Sequence, residues 1–143
     1  MGLEEDVLRQ AVKDSVPEIA ELFYEELIHN IETNKYKLKL KPSTIARKIA
    51  GGSSTPDTPL MDKGDLISHI VISDGKVKYD DGTHYSGLSY KELGTILEKG
   101  RLDKSILPFP IWRYTLRDLR PRVKKIIGNR FKKLYLIALK KRL

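Results

Sequence analysis

His69-Ile70-Val71-Ile72-Ser73-Asp74-Gly75-Lys76-Val77-Lys78-Tyr79-Asp80 is the stretch on which the fold turns. Two runs carrying β-branched and aromatic residues flank Asp74-Gly75, a dipeptide that readily adopts the backbone of a tight hairpin. The first run reads as a strand over 69–73 and the second as its antiparallel partner over 76–80. Asp81-Gly82 offers another turn into Thr83-His84-Tyr85, which predicts a three-stranded meander. Upstream, residues 34–41 alternate lysine with Tyr36, Leu38 and Leu40, the period of two of a half-buried strand or extended segment. Lysine at every other position protects a sheet edge from promiscuous pairing; a basic strip for phosphates is the other reading. A small antiparallel sheet of three to four strands is the expectation.

Helical spacing takes over on both sides. Leu8, Val12, Ser15/Val16, Ile19, Leu22/Phe23, Leu27 and Ile31 form one stripe over residues 5–32, with Glu and Asp crowding the start where the helix dipole favours them. Pro17 lies inside this pattern and predicts a kink or short break, with Asp14 or Ser15 capping a second segment. At the other end, Leu116, Leu119, Val123, Ile126/Ile127, Phe131, Leu134 and Ile137/Ala138 predict a helix over about 111–141, bent or divided at Pro121. Shorter helices are punctuated by residue type. Ser43 or Thr44 caps one through Ile49, stopped by Gly51-Gly52. Asp62 caps a single turn over 63–67. Ser89 and Glu92 form a capping box for Tyr90–Lys99, with Gly100 as the stop. The fold class is therefore α+β: a small sheet packed against a long N-terminal helix and a long basic C-terminal helix. The chain reads as a single domain over 1–143 with a flexible loop at about 51–59.

A length of 143 residues suffices for one core. The 40 % hydrophobic and 32 % charged content suits a thin domain that completes its burial against partners, or simply a well-solvated surface. No cysteine is present, so disulfides, thiolate metal sites and cysteine nucleophiles are excluded. No apolar run approaches the roughly 18–20 residues of a membrane span, and the acidic start, Glu4-Glu5-Asp6, is unlike a signal peptide. A soluble protein assembled in the cytoplasm, without membrane contact, is expected. Charge is unevenly placed: residues 101–143 hold 14 Lys/Arg against Asp103 and Asp118, while residues 1–100 hold 13 against 17 acids. An acidic front and basic rear can attract other copies of the chain or face nucleic acid; a solvated helix face is the plainer reading.

Catalytic signatures are missing. His29, His69 and His84 lack partners at metal-ligand spacing. Ser68 and Ser86 lie near His69 and His84, but no nucleophile elbow surrounds them. Gly51-Gly52-Ser53-Ser54 lacks the lysine of a phosphate-binding loop, and Asp80-Asp81 has the composition of a turn. The expectation is a non-enzyme with no metal and no cofactor.

Three phrases remain, and their order carries information. Lys41-Pro42-Ser43-Thr44-Ile45 leads to Thr58-Pro59-Leu60-Met61-Asp62-Lys63-Gly64-Asp65-Leu66-Ile67-Ser68-His69-Ile70; then comes Leu93-Gly94-Thr95-Ile96-Leu97-Glu98-Lys99-Gly100; last is Leu107-Pro108-Phe109-Pro110-Ile111-Trp112. This order resembles the tail-completion and head–tail joining proteins of tailed bacteriophages. In that group a Pro-Leu-x-Asp-x-Gly-x-Leu segment precedes a strand pair, a Glu-x-Gly element follows, and a Pro-rich phrase opens a C-terminal helix. Here that last phrase lacks the usual arginine, Arg101 follows Gly100 where threonine is frequent, and Ser68-His69-Ile70 replaces Ser-Ile.

The resemblance implies a structural virion protein at the head–tail junction or tail end, assembled in the host cytoplasm. It implies partners too: other copies of itself in a six- or twelve-fold ring, neighbouring neck, connector or tail-tube proteins, and DNA in the channel. It also implies that Glu98 and Gly100 sit beside the Pro-rich loop and help to fix it. Read from the residues alone, Asp62 and Gly64 are a helix cap and turn glycine or a corner touching a neighbour. Glu98 and Gly100 are an exposed acid and a C-cap. Trp112, after Pro108 and Pro110, anchors the last helix to the sheet or serves an interface. Arg113, Arg117 and Arg120, with Lys124, form one basic ridge for an acidic subunit face or the DNA channel. The competing function is a nucleic-acid-binding module built on this C-terminal helix, with a steep salt dependence.

Overall fold

The computed structural model describes residues 2–37, 42–51, 65–100 and 108–142. Their elements run α1 (Leu3–Thr33), α2 (Pro42–Ala50), α3 (Asp65–Ser68), β1 (Ile70–Ser73), β2 (Lys76–Tyr79), α4 (Tyr90–Lys99) and α5 (Ile111–Arg142). The architecture is mostly helical: a long antiparallel pair, α1 and α5, with a small two-stranded sheet against one end.

Both prolines are absorbed without interrupting their helices. Pro17 and Pro121 are exposed, as are Lys13 and Arg117, whose carbonyls lose their helical donors. Those carbonyls can be hydrated, and packing on the opposite faces holds each helix together. The expected break in α1 and division of α5 are therefore corrected.

The sheet is smaller than expected. β1 and β2 pair antiparallel, with Ile70 opposite Tyr79 and Ser73 opposite Lys76. Asp74 and Gly75 take positive φ values of 52° and 73°, as a type I′-like turn requires. Thr83 makes only an isolated bridge to Ser89, because the segment between them turns back on itself through a bond from the Gly87 N–H to the His84 carbonyl. No strand forms at 34–37: Asn34 ends α1 with φ 46° and Lys37 has φ 53°, left-handed conformations that a strand cannot contain. Residues 38–41 lie outside the described set, as do Asp62 and Gly64. Two strands, not three or four, are present among the described residues.

The core sits where the sheet meets the helix pair. Leu27 and Ile31 of α1, Ile70 of β1 and Ile111 of α5 are buried together, flanked by Phe23, Val77, Tyr79 and Trp112. The helices are also joined by a buried bond from Asn30 Nδ2 to Thr115 Oγ1 at 3.0 Å. Asn30 Oδ1 has no partner among the described residues, a local cost that an interhelical polar pair offsets by fixing register. Farther along α1, Val7, Ala11 and Ser15 are buried, while Leu8, Val12 and Val16 are about two-fifths exposed, Val12 and Val16 lining an apolar groove with Leu116, Leu119 and Val123 of α5. The expected apolar stripe is thus displaced by one position in the first half of α1. Small residues at 11 and 15 are fully buried, and the larger Val12 and Val16 beside them are left at the edge of the groove. On α5, Leu116 and Ile137 are likewise exposed. No described helix is long and apolar enough to cross a membrane.

Candidate functional site

The start of α5 is where three separate parts of the chain are tied. Its first turn presents orphan N–H groups, and the preceding Pro108-Phe109-Pro110 offers no Ser, Thr or Asp to cap them. The cap comes instead from α4. Glu98 accepts from the Trp112 N–H through Oε1 and from the Arg113 N–H through Oε2, both at 3.1 Å. A carboxylate there also meets the positive end of the helix dipole. The chain reaches this geometry because Ser89 caps α4, accepting from the Glu92 N–H at 3.1 Å. Gly100 then closes α4 with φ 72°, its N–H on the Ile96 carbonyl. The Phe109 N–H donates to the Leu97 carbonyl at 2.8 Å, so exposed Pro108 and buried Phe109 are held against the end of α4.

Trp112 continues the tie into the sheet. Its Nε1–H donates to Tyr79 Oη at 3.1 Å, and its ring packs against both Tyr79 and Phe23. Tyr79 in turn rests on Gly94: a Cβ at that position would clash with the Tyr79 ring. Burial, partly offset by the Trp112 bond and reinforced by the nearby Glu98 charge, pushes the Tyr79 hydroxyl up to about 12. Glu98, Gly100, Pro108 and Trp112 are therefore brought together at one junction. Asp62 and Gly64 fall outside the described residues.

Arg113, Arg117, Arg120 and Lys124 are all exposed on α5, and their spacing places them on one face. Arg117 does not hang free. Its Nε donates to Asp118 Oδ1 at 3.0 Å, and its guanidinium lies 4.8 Å from the Tyr114 ring centre. The other oxygen of Asp118 accepts from the Tyr36 hydroxyl at 2.6 Å, and Lys35 Nζ lies 3.9 Å away. Asp118, the sole acid of α5, is thus the hub that orders a cluster of cations and tyrosines where α1 ends and α5 begins. The Tyr36 bond first, then Arg117, hold its carboxyl below the usual range. Burial and then Asp118 push the Tyr36 hydroxyl up to about 12. Sequence reasoning noted Asp118 only as a charge; its isolation in a basic helix was the available signal.

A second polar cluster closes the open end of the hairpin. His69 Nδ1 lies 2.8 Å from both oxygens of Asp80, and its ring stacks on Tyr90 at 3.7 Å. The Gly82 N–H also donates to Asp80, and this bond, then His69, lowers the carboxyl below its ordinary range. Backbone accompanies side chain, since the Asp80 N–H donates to the His69 carbonyl at 2.8 Å. The pair clips residue 69 to residue 80 and positions the start of α4. Among the described residues, no group of three or more His, Cys, Asp or Glu side chains could hold a metal ion.

Compared with protein-family models, with curated proteins and with solved structures, the chain matches none.

Proposed function

We propose that this chain is a structural subunit of a tailed-phage virion, a tail-completion or neck component that joins a ring at the head–tail junction or tail end. The observation that carries the reading is the junction at Glu98. The phage resemblance assigns the Glu-x-Gly element a position beside the Pro-rich phrase, and here one carboxylate spans the two N–H groups that open α5. The phrases thus act as one unit: Gly100 turns the chain, the prolines fix its approach, and Glu98 with Trp112 sets the angle of a long helix against the sheet.

The shape supports a role completed by neighbours. Among the described residues Leu8, Leu116, Leu136 and Ile137 are about half exposed, apolar surface that neighbours could cover. A paired-helix arm with a small sheet at one end is a poor way to bury surface alone and a serviceable way to bridge subunits. Its partners on this reading are other copies and adjoining neck, connector or tail-tube proteins, with DNA passing through the ring.

The test is imaging of particles produced without this protein. Heads and tails that fail to join, or tails with an unfinished end, are expected. Normal, infectious particles would sink the reading.

A further inference from the structure

Two charged stripes on this molecule share one spacing. α1 carries Asp14, Glu18, Glu21 and Glu25 at steps of four, three and four residues; α5 carries Arg113, Arg117, Arg120 and Lys124 at the same steps. Such steps keep side chains on one face, and at 1.5 Å per residue each stripe is about 16 Å long. The order reads the same in both directions, so two helices can match it antiparallel.

The stripes do not satisfy each other within the chain. The ion pairs that join the helices are Arg122 to Glu26 at 3.5 Å, Arg130 to Glu18 at 3.0 Å and, near their ends, Lys35 to Asp118 at 3.9 Å. Glu21, Glu25, Arg113, Arg120 and Lys124 are exposed and make no ion pair among the described residues. Glu18, Glu21 and Glu25 line an open groove of about 580 Å³ between α1 and α5, with Leu22 as an apolar contribution. Cations face that groove too, namely Arg122 and Lys125. Arg122 is engaged by Glu26, which leaves Lys125 against Glu21 and Glu25; past Asp14 and Glu18 the groove is lined by Arg130 and Lys133, so the free negative charge lies at Glu21 and Glu25.

We infer that the acidic stripe of α1 is the docking surface for the basic stripe of α5 on a second copy of this chain. The inference rests on the ring reading only for closure. One copy offers its cations while its own Glu21 and Glu25 stay open to the next, so the contact is heterologous and repeats until the rotation closes. Complementary potentials of this kind steer encounter and fix register, and they exclude wrong partners. The cation stripe is ordered in advance, since Asp118 and the Tyr114 ring hold Arg117 in place. A DNA duplex is the weaker fit: it would use the cations, leave the matched carboxylates without a role, and meet the net negative charge of α1 beside them.

The experiment is a charge swap read by sedimentation velocity at about 50 mM and about 500 mM salt, which weakly and strongly screen exposed charges. One variant carries R113E, R120E and K124E; the other carries E21K and E25K. All five side chains are exposed, and thermal melts verify that both variants fold. Wild type is expected to self-associate in low salt, and each variant alone to associate about 100-fold more weakly. Their mixture sets opposite charges against each other at both contacts, one native and one with its signs reversed, and is expected to recover association that neither variant shows alone. A wild type monomeric at every concentration would overturn the inference, as would either variant associating like wild type, or a mixture that stays apart. Steeply salt-dependent binding of a labelled duplex, lost in the first variant while its self-association persists, would assign the stripe to nucleic acid instead. If the swap succeeds but purified particles contain no ring of this chain, the interface stands and the neck assignment falls.

Discussion

The two ends of the helix pair are built differently. At one end, the C-terminal half of α1 and the start of α5 meet the hairpin and α4. There Leu27 is fully buried, Asn30 bonds Thr115, Glu98 caps α5, and Trp112 bonds Tyr79. At the other end, α1 and α5 lie against each other with no described element over them, and Leu8, Leu136, Ile137 and Leu139 face solvent. Arg130 reaches Glu18 and the Asp14 carbonyl between the two ends, so the bare arm is held by one guanidinium and a thin seam of small residues. The tied end is where the isolated chain gets its fold; on the reading proposed above, the bare arm and the charged stripes are surface for neighbouring copies. An assembly subunit has reason to divide its stability in this way.

Substitutions can break that contrast. Leu27→Ala removes the fully buried side chain at the centre of the tied end and is expected to cost about 3–4 kcal/mol in urea unfolding. A loss below about 1 kcal/mol would mean that the core lies elsewhere. The next effect is set by pH. Tyr79 keeps its proton in the folded chain up to about 12, whereas an unfolded tyrosine ionises near pH 10. The raised value leaves its contribution intact below pH 10 and removes it as pH rises towards 12, a loss of about 2–3 kcal/mol. Unfolding curves of wild type and Tyr79→Phe should therefore converge across that window. Parallel curves would show that Tyr79 is not held protonated.

Glu98→Ala leaves two N–H groups at the start of α5 without their carboxylate and should cost about 1–2 kcal/mol. Hydrogen exchange should quicken first around residues 109–113, and uniform acceleration along α5 would contradict a local cap. At the other extreme, Leu136→Ala should change the stability of the isolated chain by less than about 0.5 kcal/mol, because its side chain is 59 % exposed. A larger loss would mean that the arm is covered in solution.

The same contrast separates what could be read from the sequence from what could not. Ser89, Glu92 and Gly100 announced α4 because a cap and a stop are local chemistry, and Asp74-Gly75 announced the hairpin for the same reason. The alternating lysines after Asn34 announced a strand that is absent at 34–37. A period of two describes where side chains point, not whether a neighbouring strand is available, and left-handed Asn34 and Lys37 end the possibility there. Pro17 and Pro121 looked like breaks, since sequence does not reveal that the opposite face of each helix is packed. Trp112 could be read as an anchor. The cap on α5 could not be found by local rules, because Glu98 lies 14 residues before Trp112. Its position was expected only through the order of phrases. The displacement of the most buried positions of α1 from Leu8 and Val12 to Val7 and Ala11 was illegible too, because hydrophobicity favours the larger residues whatever their burial.

The central claim is that this chain becomes complete only as one of several identical subunits in a virion. Counting its copies in purified tailed particles, by quantitative mass spectrometry against the major capsid protein, tests that most directly. Six or twelve copies per particle are expected, resolved as a ring at the head–tail junction or tail end. A single copy, or none, would contradict the account.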